Sequence, residues 1–566
     1  MFCPLDCWDA CQCKMENGKR KIKAEGITPY LCWKLNNYFK FPIESTAKFN
    51  GKNIMLNEVL HKFTTILKST QPKKVLFIKG SGNMGLMQNV TKLFFEKYGA
   101  TFAVGSTCDG IGEKGIKKSR GKSLILPIWI VKNAKNIIIW GRNPYVTNIH
   151  LLPLIKDKFT INIDAINTKT AKNSDFFIQV KPNSDYYLAV LLSRMAMERN
   201  LVKKDDGLDF EKFKKIVFSY SKNELIEKSG VNEKQAEKLF EIITEGAVVL
   251  TGLGISKCKE CYKTAWAIDS LFYMLDYFGK KDMGVAYLGS SSFGINNPFK
   301  INHKNKIALF DVNLDNFDVV FIQGANPLIS FVNRDKWKKL KEKKLIVFGK
   351  YYDETAKIAN LFIPTKDFYE KKDVRGSYFH EYVLTMENVK WKMENELCSS
   401  GCLKSGHDER ISEYEFTKYL FNEFGFGELK KEDEYIREIL DSNLEKINDN
   451  VYKKKVFDKP PYSEGFFTED KKFHFLTELF ERNEKEFEII TAKEAKALNS
   501  QFKKDENIYI NPESKNIMLN WVKKNINQKL IKYDKNVPKN IIYTKGGTVI
   551  NEILKAKGEN AYYEIQ

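Results

Sequence analysis

Four cysteines near the start of the chain, Cys3, Cys7, Cys11 and Cys32, follow the spacing C-x3-C-x3-C-x20-C within CPLDCWDACQC and YLCWK. Three thiolates from one tight loop, with a fourth returning from a distance, make the ligand set of a cubane [4Fe–4S] cluster. Two other chemistries compete. A zinc site usually pairs cysteines in two separate clips, whereas three sit in one run here. A disulfide framework suits short secreted chains, not one of 566 residues. Cys108, in GSTCDGIGEKG, is a further thiol in a glycine-rich loop beyond a strand. There a thiolate suits a soft metal or a nucleophile, and the plain alternative is a buried core cysteine. Cys258-x2-Cys261 and Cys398-x3-Cys402, with His407 nearby, could each clip a metal, but they lie far apart and lack a clear fourth partner. The histidines at 61, 150, 303, 380 and 474 have no ligand spacing and read as structural or surface residues.

A second chemistry-bearing segment is Gly80-Ser81-Gly82-Asn83-Met84-Gly85, which follows an apolar strand and precedes a helical pattern. Its glycines permit a tight turn and close approach of backbone to a pyrophosphate at a helix N-terminus. An NAD site would place an acid at the end of the next strand, about 20 residues on. The strand from Ala100 to Val104 ends instead in Gly105-Ser106-Thr107-Cys108. NAD is therefore disfavoured and another phosphate ligand stays open, beside the bland reading of a plain turn.

The elements that must position these residues recur as one unit: a short apolar strand, a loop of Gly, Asn, Pro, Ser or Thr, then a helical pattern. The instances are VLFIKGSGNMG (75–85), NIIIWGRNP (136–144), FTINIDAINTKT (159–170), AVVLTGLGIS (247–256), DVVFIQGANP (318–327) and LIVFGKYYDETA (345–356). Continuous apolar strands predict parallel sheets covered on both faces, with ligands at the carboxyl ends of the strands. Six such units exceed one ordinary sheet, so two α/β domains are expected. Residues 428–457 read as a charged, solvated helix, and the last eighty or so residues as a small β domain.

Composition narrows the class. With 566 residues, three or four domains are expected, and 43% hydrophobic content allows large cores. The net charge of +20 comes from lysines spread among acids along the chain, so a lysine-rich surface is favoured over nucleic-acid binding. A zinc-holding nucleic-acid binder is nonetheless a rival that the cysteines alone leave open. No leader, twin-arginine pair or run of about 18 apolar residues is present. The expectation is a cytoplasmic protein without a membrane span, whose ten cysteines are reduced or metal-bound.

Taken in order, the segments resemble the molybdopterin oxidoreductases of the dimethyl sulfoxide reductase type. CPLDCWDAC with LCWK is similar to that family's cluster motif, and GSGNMG with TCDGIGEKG to its next landmark. WGRNP, IDAINTKTA and KPNSDYYLAV resemble its second α/β domain. QGANP and DETAKIANLFIPTKDFYEKKD resemble the return to the first, and LNSQF and GGTVIN the C-terminal cap. The resemblance implies an α/β fold: two pseudo-symmetric Rossmann-like domains with parallel sheets, a small N-terminal Fe–S domain and a C-terminal β-barrel-like cap. The implied boundaries are 1–48, with 385–475 as a candidate addition; 49–118 with 300–384; 119–299; and 476–566.

The resemblance further implies a bis(molybdopterin guanine dinucleotide) cofactor holding molybdenum or tungsten, plus one [4Fe–4S] cluster. Carried over by position, Cys3, Cys7, Cys11 and Cys32 would hold the cluster, Cys108 would ligate the metal, and Lys34 would relay electrons. Gly80, Gly82, Asn83, Gly85, Asn143, Asp164, Thr168, Asp185, Gly324, Asn326, Asn499 and Asn551 would contact the pterin or guanine parts. The implied activity is electron transfer between a small substrate and a redox partner, an Fe–S, flavin or quinone-linked protein. The rival is a catalytically silent electron-transfer or scaffold subunit without the metal. Departures from the family pattern are Ala165-Ile166 for Pro-Arg, Lys181 and Asn183 for Arg and Gly, and Asn360 for Asp. Asp109 follows Cys108 where the family's formate dehydrogenases typically have His, so formate is not favoured.

Overall fold

The computed structural model describes the chain apart from residues 17–20, 107, 288, 290, 388–408, 442, 483–485, 499–500, 503–504, 527–529, 546–549, 552–553, 557–562 and 566. The apolar runs form strands of two parallel sheets, as their unbroken hydrophobicity requires. The larger sheet has eight strands in the order Lys306–Ala308, Thr101–Val104, Val75–Lys79, Val319–Gln323, Lys344–Gly349, Leu361–Pro364, Ala47–Phe49 and Lys52–Ile54. Its first six strands are parallel, and the last two add an antiparallel edge. The second sheet is wholly parallel, in the order Gly284–Ala286, Ala247–Thr251, Asn136–Trp140, Phe159–Asp164 and Phe176–Gln179. The chain enters the larger sheet, builds the second from residues 136–286, and then returns to finish the first.

Alternation along each strand sends side chains to two separate cores. In the larger sheet, Phe77, Phe321 and Phe348 face one side, where Phe321 stacks on Phe77 and on Phe416 with centroids 5.8 Å apart in each pair. Leu76, Ile78, Val320 and Ile322 face the other side and meet Trp337. The second sheet divides in the same way, with Ile138, Trp140, Ile161 and Ile163 on one face and Ile137, Ile139, Val248 and Leu250 on the other. Each fully buried side chain of this kind contributes about 1.5–3 kcal/mol. The strand ends are thereby fixed by covered cores on both faces.

Smaller units surround the sheets. Strands Cys13–Met15 and Ile22–Ala24 pair at the N-terminus. Asp373–Gly376, Tyr382–Met386, Val451–Lys454 and Leu444–Asn448 form an antiparallel sheet. Within the stretch 428–457 an α-helix covers Glu432–Leu440, a hairpin follows at Leu444–Asn448 and Val451–Lys454, and a 3-10 turn closes it at Lys455–Phe457. The C-terminal part carries a mixed sheet, Glu488–Ala492, Ile541–Lys545, Ile508–Ile510 and Ile531–Tyr533, beside the helix Asn516–Asn525. No helix among the described residues is long and apolar enough to cross a membrane.

Candidate functional site

The N-terminal cysteines occupy a loop pinned by backbone bonds. Cys3 N–H donates to Cys11 O at 2.8 Å, and Cys13 N–H to Met1 O at 2.9 Å. Cys32 caps the short helix Trp33–Asn36, its Sγ accepting from Leu35 N–H at 3.4 Å. The four thiols lie in one another's field. A hydrogen bond between Cys3 and Cys11 holds the Cys3 thiol below its ordinary pKa and Cys11 well above it. Burial raises Cys7 and carries Cys32 to about 11. Crowded, buried thiols resist ionising one by one, and a bound metal reverses that balance. Lys34 is the second residue of the short helix, half-buried, with its charge bearing on Cys32. A fifth cysteine, Cys13, turns instead to Tyr369 Oη at 3.5 Å, and burial pushes it to about 12.

Two residues with no local sequence signal organise this loop. Arg375, on the strand Asp373–Gly376, is fully buried. Its Nη1 donates to the carbonyls of Cys3 and Leu5 at 3.2 and 2.7 Å, and its Nη2 to the carbonyl of Cys7 and to Met84 Sδ. One guanidinium therefore ties the cysteine loop to the glycine turn. His150, also buried, stands with Nδ1 2.5 Å from Asp9 Oδ2, Nε2 2.8 Å from Tyr30 O, and Nδ1 3.4 Å from Cys11 Sγ. Burial opposes its charge, but Asp9 and the Tyr30 carbonyl outweigh it and the pKa rises. Asp9 also accepts from Asn148 Nδ2, whose Oδ1 accepts from Arg142 Nη2, both at 2.5 Å. The cysteine loop is thus bonded to the end of the strand Asn136–Trp140.

Cys108 lies between the strand Thr101–Val104 and the helix Gly110–Arg120, and its side chain opens to solvent. Its N–H donates to Ser106 Oγ at 2.9 Å, and Lys257 Nζ donates to its carbonyl at 2.8 Å. The protein packed around the sulfur raises its pKa, Lys257 and Lys493 pull it down, and Asp109 and Asp6 push it up. Asp6 belongs to the cysteine loop, and it also bears on Lys79, which burial lowers to about 8 at the entrance to the glycine turn. The Asp6 charge thus bears on both the glycine turn and the Cys108 segment.

Both sheets end in matching corners. Trp140-Gly141-Arg142-Asn143-Pro144 and Gln323-Gly324-Ala325-Asn326-Pro327 place glycine at φ 61° and 60°, and each proline begins a one-turn helix. Asn143 Oδ1 accepts from Thr170 Oγ1 at 2.6 Å, and Asn326 Oδ1 from Thr355 Oγ1 at 2.7 Å. Gly80 abuts the second corner so closely that a Cβ there would fall 2.1 Å from Gly324 O. In the turn after Gly80, buried Asn83 accepts from Gly85 N–H at 2.8 Å, while its Nδ2 has no hydrogen-bond partner among the described residues. Asn551 Nδ2 donates to Ile329 O at 2.9 Å, in the one-turn helix that follows Asn326. At the second sheet, burial raises Asp164 to about 7 and Asp185 to about 6, the latter accepting from Trp140 Nε1 at 2.7 Å. Thr168 Oγ1 accepts from Ala171 N–H at 3.2 Å. Asn499 lies outside the described residues, as do Cys398, Cys402 and His407.

The sequence pattern of the molybdopterin oxidoreductase family matches residues 55–392, which carry the second sheet, the six parallel strands of the larger sheet and Cys108. The chain belongs to the molybdopterin oxidoreductase family. It is 25% identical over 541 residues to the probable oxidoreductase YyaE of Bacillus subtilis (strain 168), covering 85% of this chain and 78% of that one. It is 25% identical over 290 residues to the F420-dependent formate dehydrogenase subunit alpha of Methanocaldococcus jannaschii, covering 43% and 42% of the two chains. The fold matches acetylene hydratase from Pelobacter acetylenicus with a TM-score of 0.68 at 13% identity, over 96% of this chain and 92% of that one.

As a molybdopterin oxidoreductase the protein is an enzyme, and its strand ends fit the family's molybdopterin. At the larger sheet the buried Asn83 amide has no hydrogen-bond partner among the described residues, and at the second sheet burial favours the neutral, hydrogen-bonding form of Asp164 and Asp185. One expectation is overturned. Cys258 and Cys261 are joined by a disulfide rather than left reduced for a metal, their Cα atoms lying 5.0 Å apart and within reach of a bridge.

Proposed function

We propose that the enzyme carries one [4Fe–4S] cluster on Cys3, Cys7, Cys11 and Cys32 and a bis(molybdopterin guanine dinucleotide) whose metal is ligated by Cys108. The observation behind this reading is that Arg375 bonds the cysteine loop to Met84 of the glycine turn, while the charge of Asp6, in the same loop, bears on Cys108. Asn143, Asp164, Thr168 and Asp185 would hold one dinucleotide. Gly80, Gly82, Asn83, Gly85, Gly324, Asn326, Asn499 and Asn551 would hold the other. The bound metal and cluster supply a two-electron change at substrate and its division into single-electron steps. The chain's own residues prepare the seats. Arg375 fixes three carbonyls of the cysteine loop, and its charge favours the Cys3 thiolate. Lys257 and Lys493 favour the Cys108 thiolate, the form that binds a soft metal. Asp164 and Asp185 are acceptors for guanine or ribose donors. Lys34 stands beside Cys32 as the electron relay.

The substrate is a small molecule, and the redox partner an Fe–S, flavin or quinone-linked protein. The formate dehydrogenase relative suggests formate, but Asp109 rather than His follows Cys108. Sulfur or nitrogen oxyanions and other small oxo-transfer substrates are the alternatives to formate. Metal analysis of anaerobically purified protein tests the reading. About four Fe and about one Mo or W per chain are expected. Iron without Mo or W, from cells that make the cofactor, would favour a silent electron-transfer subunit, and zinc without iron would refute the cluster.

A further inference from the structure

The Cys258–Cys261 bridge sits where the strand Ala247–Thr251 gives way, through a short turn, to the helix Tyr262–Met274, with Cys261 as the helix N-cap. Its two sulfurs are unequal. Cys261 is fully buried in a small cluster with Ile111 and Tyr262, whereas Cys258 is half-buried at the edge of that cluster. Cys258 is therefore the sulfur open to attack, and Cys261, as the N-cap of a helix of 13 residues, stands where a helix N-terminus favours a thiolate. A bridge across so few residues also restricts the unfolded chain less than a long-range one, so stability alone is a weak reason for it. The bridge is connected on both sides to the candidate site. Cys261 Sγ lies 3.7 Å from Asn183 Oδ1, in the turn that leads to Asp185, and Lys257 Nζ holds the carbonyl of Cys108.

We propose that Cys258 and Cys261 form a thiol–disulfide exchange site that accepts electrons from a dithiol reductant. A thiolate of the reductant attacks Cys258 Sγ and forms a mixed disulfide. The Cys258–Cys261 bond breaks, and Cys261 leaves as a thiolate at the helix N-terminus and takes up a proton. The reductant's second thiolate then attacks its own sulfur in the mixed disulfide, which releases Cys258 as a thiol. The dithiol loses two electrons and two protons as it closes to a disulfide, and the protein gains both pairs. Neither the cluster nor the metal enters this step, so it stands apart from the redox chemistry proposed above.

The test uses the full-length protein in its folded state. It is treated with dithiothreitol, freed of reductant, blocked with iodoacetamide and read peptide by peptide by mass spectrometry. The peptide holding residues 258–261 should be unmodified before reduction and doubly alkylated after it. A second arm needs no intact bridge. Cys261→Ser should trap a mixed disulfide on Cys258 from an aromatic disulfide probe on the order of 10-fold faster than Cys258→Ser traps one on Cys261. A bridge that dithiothreitol opens only after denaturation would overturn the proposal, as would equal trapping in the two variants. Neither outcome bears on iron, molybdenum or tungsten content, so this proposal and the cofactor reading fail separately.

Discussion

Replacing Arg375 by methionine should release the cysteine loop while leaving the sheets intact. The native side chain is fully buried and makes three bonds to the carbonyls of Cys3, Leu5 and Cys7. Hydrogen bonds from a charged donor are each worth about 1.5–3 kcal/mol, and three carbonyls would be left without their donor. Relief of the burial cost of the guanidinium offsets part of that loss. A net loss on the order of 3 kcal/mol in local stability remains, which raises the open population of the loop roughly 100-fold. Methionine keeps the apolar stem, so lost packing contributes little. Hydrogen exchange is the assay, because the amides of Cys3 and Cys13 are bonded across the loop at 2.8 and 2.9 Å and report its opening. The amides of Val320 and Ile322, inside the larger sheet, serve as the control. Exchange of Cys3 and Cys13 within about threefold of wild type would refute the clamp, since roughly 100-fold is expected from the lost bonds. Equal acceleration at Val320 would show a global effect instead.

Gly80→Ala should lower stability by about 3 kcal/mol, because the new Cβ would fall 2.1 Å from Gly324 O and the two loops must part. Gly324→Ala should cost only about 1 kcal/mol, from its φ of 60° without a comparable clash, and urea midpoints compare the two. Burial raises Asp164 to about 7 and Asp185 to about 6, both above the ordinary value of 3.8, so between pH 4 and 7 the folded cofactor-free chain binds more protons than the unfolded one. Its stability should therefore fall as pH rises through that window, and Asp164→Asn should flatten the slope in melts across pH. Cys108→Ser should retain iron while losing activity and changing the Mo or W spectrum, and a variant with full activity and an unchanged spectrum would exclude Cys108 as the ligand.

The sheets were legible because short apolar runs rich in Ile and Val, such as VLFIK and NIIIW, are bounded by Gly, Asn and Pro loops, which mark buried strands rather than helices. The corner motifs at Gly141 and Gly324 could be read as a pair for the same reason: backbone at positive φ demands a particular residue. Arg375, His150 and Asp9 could not be read. Their partners lie 120 to 372 positions away, and a single arginine in a strand or a single histidine in a helical turn has no period to betray it. The cysteine pair at 258 and 261 was ambiguous for a chemical reason, since the same separation serves a metal clip and a disulfide. The hairpin at Leu444–Asn448 and Val451–Lys454 was mistaken for helix because its outer strand is an exposed edge carrying Glu445 and Lys446. Charge on an edge strand guards against pairing with other chains, and in sequence it looks like a solvated helix face.

The interleaved path of the chain has a consequence for how the protein is made. The strand Val75–Lys79 pairs in the finished sheet with Val319–Gln323, whose first residue follows Val75 by 244 positions. At ribosomal speeds that interval lasts on the order of 10–50 s. Throughout it the second sheet, residues 136–286, can be completed, while the strand Val75–Lys79 still lacks its neighbour on that side. Arg375 emerges later still, so the cysteine loop at the front of the chain receives its fastening only after the returning strands have left the ribosome. Translation order thus leaves the cysteine loop with only its own backbone bonds, and without the Arg375 clamp, until the strands of both sheets have been synthesised.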